Sequence, residues 1–274
     1  MKLINKTILI TGGATGIGFS LAKVLALQNN RVVIVGRSQD KLEQAQKEIP
    51  DLEFIQADIS NPEQIDQLFD ELERRNIIPD VLFNNAGVIE VWEILKTPLS
   101  AHAIFSKLNT NMAGPIAMTN HFIRQADKKS QNYIINITTE AAIMPIPILP
   151  LYSSSKAGLS VFTKALRVQL KGSSFIVAEI VPPAVETKMT TEDLNNTTKL
   201  VLPIDFARNV IRQIEAGKLY YAPSANAKML HFLRRVSPKT GLKIIDKMSR
   251  KQLFGKSVNG KTPQTEIPFD IKAN

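Results

Sequence analysis

KTILITGGATGIGFSLAKVLALQ, residues 6–28, places three signals in a row. Lys6 to Thr11 is an apolar run without alternation, as expected of a strand buried on both faces. It runs straight into Gly12-Gly13-Ala14-Thr15-Gly16-Ile17-Gly18, and a helical pattern over 19–28 follows. Strand, glycine turn, helix is the arrangement that seats a phosphate on a helix N-terminus: the glycines admit a close backbone, and free N–H groups and the helix dipole hold the anion. The spacing, Gly-x-x-x-Gly-x-Gly, departs from the common Gly-x-Gly-x-x-Gly fingerprint. A turn that merely tightens a strand–helix connection is the plain alternative; three glycines directly between strand and helix favour the nucleotide site. The fold expected is α/β, a Rossmann-type doubly wound sheet of seven mainly parallel strands with helices on both faces.

The alternation of strand and helix continues outward. A second strand over 31–35 ends at Gly36-Arg37-Ser38. In a dinucleotide fold an acid at this point binds the ribose 2′-OH, whereas an Arg accommodates a 2′-phosphate. Arg37 therefore favours NADP(H), with NAD(H) as the alternative and a solvated surface Arg as the plain reading. A third strand ends at Asp58-Ile59, where Asp58 is open between an adenine contact and an ordinary loop carboxylate. Asn61-Pro62 predicts a capped helix start. A fourth strand over 80–83 ends in the small-residue turn Asn84-Asn85-Ala86-Gly87.

Residues 131–156, QNYIINITTEAAIMPIPILPLYSSSK, hold the candidate chemistry. Tyr133 to Ile137 reads as a buried strand with Thr138-Thr139-Glu140 at its carboxyl end, the side on which open α/β sheets bind ligands. Tyr152 and Lys156 lie four apart, on one face of a helix. An ammonium beside a phenol favours the phenolate and lowers its pKa, which makes a usable proton donor.

In this order and spacing, Thr11-Gly12-x-x-x-Gly16-Ile17-Gly18, Asn84-Asn85-Ala86-Gly87, Asn111-x-x-Gly114, Thr139 and Tyr152-x-x-x-Lys156 resemble the successive motifs of the short-chain dehydrogenase/reductase family, over about residues 3–223. The resemblance implies an oxidoreductase that interconverts a carbonyl and a secondary alcohol. Tyr152 would be its general acid or base. Lys156 would lower the Tyr pKa and hold the nicotinamide ribose, and Asn111 would hold a water in a proton relay. Thr139 stands where the family usually has Ser, and offers the same donor and acceptor. It also implies a cofactor site at Gly12, Thr15, Gly16, Ile17, Gly18, Arg37, Asp58, Ile59, Asn85, Ala86, Gly87, Tyr152, Lys156 and Thr187. Pro182-Pro183 departs from the family's Pro-Gly, and Pro183 removes a donor and fixes φ. The pair is similar to that of one bacterial subgroup, the oxidoreductases found beside lipoteichoic acid D-alanylation genes. Non-catalytic sensors on this fold usually lose the Tyr or the Lys; here both are present.

Composition narrows the rest. The chain of 274 residues has no Cys and three His, which excludes disulfides and thiolate chemistry and makes a metal site unexpected. No signal peptide and no run long enough for a bilayer is expected, so the reading is cytoplasmic. Ala142, Ile143, Met144, Ile146 and Trp92 suggest an apolar cleft edge and a hydrophobic substrate. Of the net charge of +9, +8 falls in residues 225–256, where nine Lys/Arg face one acid, Asp246. The expected division is a catalytic domain over 1–224, a basic amphipathic extension over 225–256 and a disordered tail over 257–274. The extension reads equally as a peripheral membrane surface or as helices packed on the cleft, with the chain as a non-catalytic membrane module in the first case. Nucleic acid is not expected, with Phe232 and Phe254 alone to stack on bases. Residues 188–202 stand where the family carries its substrate lid. A homodimer or homotetramer is the family's usual assembly.

Overall fold

The computed structural model describes residues 2–191 and 200–254. The expected tail and most of the expected lid lie outside these residues. Seven strands form one sheet: β1 (Thr7–Thr11), β2 (Arg31–Gly36), β3 (Glu53–Gln56), β4 (Val81–Asn84), β5 (Asn132–Ile137), β6 (Phe175–Ile180) and β7 (Tyr220–Tyr221). All pair in parallel, in the order β3-β2-β1-β4-β5-β6-β7. The order reverses between β1 and β4, and the crevice at that switch point is where this architecture binds ligands.

The apolar runs are continuous because both faces are covered. Along β1, Ile8 and Ile10 enter one core while Leu9 enters the other. The first core is closed by α1 (Gly16–Ala26), α2 (Gln39–Glu48) and α8 (Pro203–Glu215). The second lies under α3 (Pro62–Arg74), α5 (Gly114–Gln125) and α6 (Pro150–Gln169). The Asn61-Pro62 start is realised as expected: the Asn61 side chain accepts from the N–H of Glu63 and Gln64, with Pro62 at the first position.

Two local departures bear on the site. Between α4 (Ala101–Leu108) and α5 the helix takes a π turn over Asn109–Ala113, and a short 3-10 turn spans Glu140–Ala142. A π turn inserts one residue into a helix and is often found at functional sites. Here it lets Asn109 Nδ2 donate to the Ser60 carbonyl at 3.1 Å. Gly114 then packs so tightly that a Cβ would lie 2.2 Å from the Ile59 carbonyl oxygen.

The basic extension forms α9 (Ala225–Val236) and α10 (Pro238–Phe254), and α7 (Lys188–Thr191) is a single turn. Ala227, Leu230 and Ile245 bury against Ile143, Met144 and Val181 in a third, smaller core. Burying a Leu or Ile side chain contributes about 1.5–3 kcal/mol, so the helix pair is docked on the domain rather than held out from it. A Cβ at Gly241 would meet Met144 Cε at 2.3 Å, which fixes how closely α10 approaches. Arg250 reaches across to Glu93 at 3.3 Å.

Candidate active site

The cleft at the switch point has a volume of about 830 Å³. Its floor is the glycine loop. Gly12 and Gly16 take φ of +64° and +56°, the left-handed region that glycine enters without strain. The loop is stitched to the β4 end: Thr11 Oγ1 accepts from the N–H of Asn85 at 3.1 Å and of Ala86 at 3.2 Å, and Asn85 Nδ2 donates to the carbonyls of Thr11 and Gly12 at 3.0 and 3.2 Å. A Cβ at Gly18 would lie 2.2 Å from the Gly12 oxygen, so this position also needs a bare backbone. Thr15 caps α1 without any side-chain hydrogen bond to the helix. The first-turn N–H groups are thus left for an anion, and the cradle fits a dinucleotide pyrophosphate.

At the β2 end, Arg37 lines the cleft, with its guanidinium 3.7 Å from Asp58 Oδ2. Asp58 is engaged locally as well: its Oδ1 accepts from the Ser60 N–H at 2.9 Å. Ser38 and Lys41 line the same corner. Lys41 escaped the sequence reading because it sits among the polar residues of α2, where a lysine looks like any solvated one; its place three residues after Ser38, in the first turn, was the only signal.

The reactive end lies between β5 and α6. Thr139 and Tyr152 both line it, and their side chains are hydrogen-bonded. Burial around the Tyr152 hydroxyl pushes the phenol above its ordinary value, with the Thr139 bond pulling the other way. Lys156 does not contribute the lowering expected of it, and the lysine is itself desolvated. Only 2% exposed, Lys156 donates from Nζ to the Ile137 carbonyl at 2.9 Å, and burial brings it down to about 8. Gly87 separates it from Asn111: a Cβ there would sit 3.4 Å from Lys156 Nζ and 3.3 Å from Asn111 Oδ1.

The Asn111 side chain is held by its neighbours. It clasps the Val88 backbone, accepting from the N–H and donating to the carbonyl at 2.9 Å each, and donates to Ser155 Oγ at 3.2 Å. Thr187 lines the cleft against Gly16, with its Oγ1 2.8 Å from Thr190 Oγ1. Pro182 and Pro183 form the wall beside it.

Of the apolar residues expected at the edge, Ile146 lines the cleft, whereas Ile143 and Met144 are turned under α9 and α10. Neither Ala142 nor Trp92 lines it; Val88, Ile89, Leu149 and Met189 supply apolar wall instead. From the extension, Asn226, Met248 and Ser249 reach the cleft, which places the helix pair on it. No helix among the described residues is long and apolar enough to cross a membrane.

A family model described as short chain dehydrogenase matches residues 6–198. The chain is 33% identical over 187 residues to an uncharacterized oxidoreductase, DltE, of Bacillus subtilis (strain 168), covering 68% of this chain and 74% of that protein. It is 30% identical over 187 residues to a very-long-chain 3-oxoacyl-CoA reductase of Bos taurus, covering 66% of this chain and 59% of the reductase. Among solved structures, a short chain dehydrogenase from Burkholderia cenocepacia J2315 in complex with NADP superposes with a TM-score of 0.76 at 21% identity, over 89% of this chain and 99% of that one.

Proposed function

The chain belongs to the short-chain dehydrogenase family, and from that premise we propose that it is an NADP(H)-dependent oxidoreductase interconverting a carbonyl and a secondary alcohol. The observation that carries the reading is the meeting of Thr139, Tyr152 and Lys156 at one end of a cleft whose other end is a glycine cradle with uncapped helix N–H groups. The dinucleotide, when bound, supplies or accepts the hydride.

The chain's own residues do the rest. The loop from Gly12 to Gly18 holds the pyrophosphate, and Asp58, Ile59 and the Asn85–Gly87 turn border the remainder of the cofactor. Arg37, Ser38 and Lys41 offer two cations and a hydroxyl to a ribose phosphate, which favours NADP(H) over NAD(H). Thr187 stands where a nicotinamide amide would reach. Thr139 orients the substrate oxygen, and Tyr152 gives that oxygen its proton or takes it away. A phenol raised by burial stays protonated at neutral pH, so its resting state is that of the acid for reduction. Val88, Ile89, Ile146 and Leu149 favour a hydrophobic substrate, in keeping with the acyl chain named for the bovine relative.

The deciding experiment is a calorimetric titration with NADPH and, separately, NADH, followed by a ketone screen with wild type and Tyr152→Phe. Tight NADPH binding in both proteins, with turnover in the wild type alone, supports the reading. Absence of binding refutes it. The outer faces of α9 and α10 support a second reading, peripheral contact with anionic membranes: Met229, Phe232, Val236 and Ile244 are exposed there among Lys228, Arg235, Lys239, Lys243 and Lys247. Vesicle co-sedimentation that survives Tyr152→Phe and disappears when Phe232 and Val236 become Ser tests it.

A further inference from the structure

Glu140 is a charged group at the reactive end that the proposed chemistry does not use. It directly follows Thr139 and opens the 3-10 turn, and its side chain lines the cleft. The carboxylate accepts a hydrogen bond from the Ser224 hydroxyl, which also caps α9 by accepting from the Ala227 N–H at 2.9 Å. Burial raises the Glu140 carboxyl, and the Ser224 bond alone opposes the shift. No cation among the described residues compensates it. Asn226, on the first turn of α9, lines the same cleft, and among the described residues its amide has no hydrogen-bond partner.

A tie between β5 and α9 does not need a carboxylate. A Gln or a Ser at residue 140 would take the Ser224 bond without the cost of desolvating a charge. Half-buried carboxylates are normally matched by a cation or several donors. Here one oxygen has a single hydroxyl partner and the charge faces the cleft. Val88, Ile89, Ile146 and Leu149 line the same cleft, so the cavity offers apolar surface together with an acceptor in the residue after Thr139.

We propose that Glu140 is a specificity-determining residue that receives a protonated amine carried by an otherwise apolar substrate, a few atoms from the reacting carbon. The proposal rests on the reading of this cleft as the carbonyl-binding site. The Glu140 carboxylate supplies the counter-charge, Asn226 a second polar contact, and the apolar wall packs the remainder of the ligand.

The test is a titration of the full chain, with and without NADPH, against octylammonium and octanol, which share a chain and differ in the charged group. The proteins are wild type, Glu140→Gln and Glu140→Leu, and Gln keeps a partner for Ser224. Wild type is expected to bind octylammonium about 10- to 100-fold more tightly than octanol, the usual range for a charge-assisted bond in a partly desolvated site. Glu140→Gln should erase that preference with an unchanged melting temperature, and Glu140→Leu should reverse it. Equal binding of both probes by wild type, or an ammonium preference that survives in Glu140→Gln, overturns the proposal. NADPH binding and ketone turnover are read in the same samples. Loss of these in wild type would sink the oxidoreductase reading while leaving the probe preference to stand or fall by itself.

Discussion

Replacing Lys156 with Met should make the protein more stable. The lysine is 2% exposed and its pKa falls from 10.5 to about 8 through burial. A lysine lowered on folding binds fewer protons in the native state than in the unfolded one between those two values. Stability therefore rises with pH across that window, and below it the full cost of the buried charge is present. That lowering corresponds to about 3 kcal/mol at pH 7, falling to about 1 kcal/mol at pH 9.5. Against this, Lys156→Met leaves the Ile137 carbonyl without its donor, a loss of about 1–2 kcal/mol that does not vary with pH. The net expectation at pH 7 is a gain of about 1–2 kcal/mol, shrinking to nothing or slightly negative by pH 9.5. Urea unfolding of both proteins at the two pH values measures it, and taking the difference removes the tyrosine titrations common to both. A variant less stable than wild type at pH 7, or a difference that does not change with pH, would refute the reasoning. The same variant should lose turnover.

Three further outcomes follow from the geometry. Gly18→Ala drives a Cβ to within 2.2 Å of a backbone oxygen, and should weaken NADPH about 10- to 100-fold by titration while the fold survives. Lys41→Glu should weaken NADPH about tenfold and leave NADH unchanged, since only the former brings a second phosphate ester to that corner. Asn136→Ala removes the acceptor of Asn84 and the donor to Thr163, both at 2.8 Å in the core, and should cost about 2–3 kcal/mol in urea unfolding.

The strands were legible because their burial on both faces writes itself as unbroken apolar runs, and the glycine loop because only glycine meets its φ values and close approaches. That Thr139, Tyr152 and Lys156 would meet was legible from a strand's carboxyl end and an i, i+4 spacing, whereas their roles came only with the ordered motifs of the family they resemble. The direction of the Tyr152 shift was not, because proximity to Lys156 can be read from a sequence whereas desolvation depends on what covers the cleft. The π turn over Asn109–Ala113 is one extra residue in an otherwise helical pattern, too small a phase change for periodicity to show, and with it the clasp of Asn111 on Val88 was hidden. The face on which α9 and α10 dock was open for the same reason. Amphipathicity says that a helix buries one side, and only the partner says against what.

The paired amides of Asn84 and Asn136 have a consequence for alignment. They lie in register on β4 and β5, and Asn84 Nδ2 also reaches Thr119 on α5 while Asn136 Nδ2 reaches Thr163 on α6. In an all-apolar parallel sheet neighbouring strands could slide by two residues at little loss, since the same faces would still be buried. Here such a slip would break the Asn84–Asn136 bond and leave the Asn136 Oδ1 acceptor without its partner in the core. The Asn85 turn follows Asn84 directly, and Thr139 comes three residues after Asn136. The ladder thus gauges the two edges of the cleft against each other, and sets their offset to within one strand repeat, about 3.3 Å, before any ligand arrives.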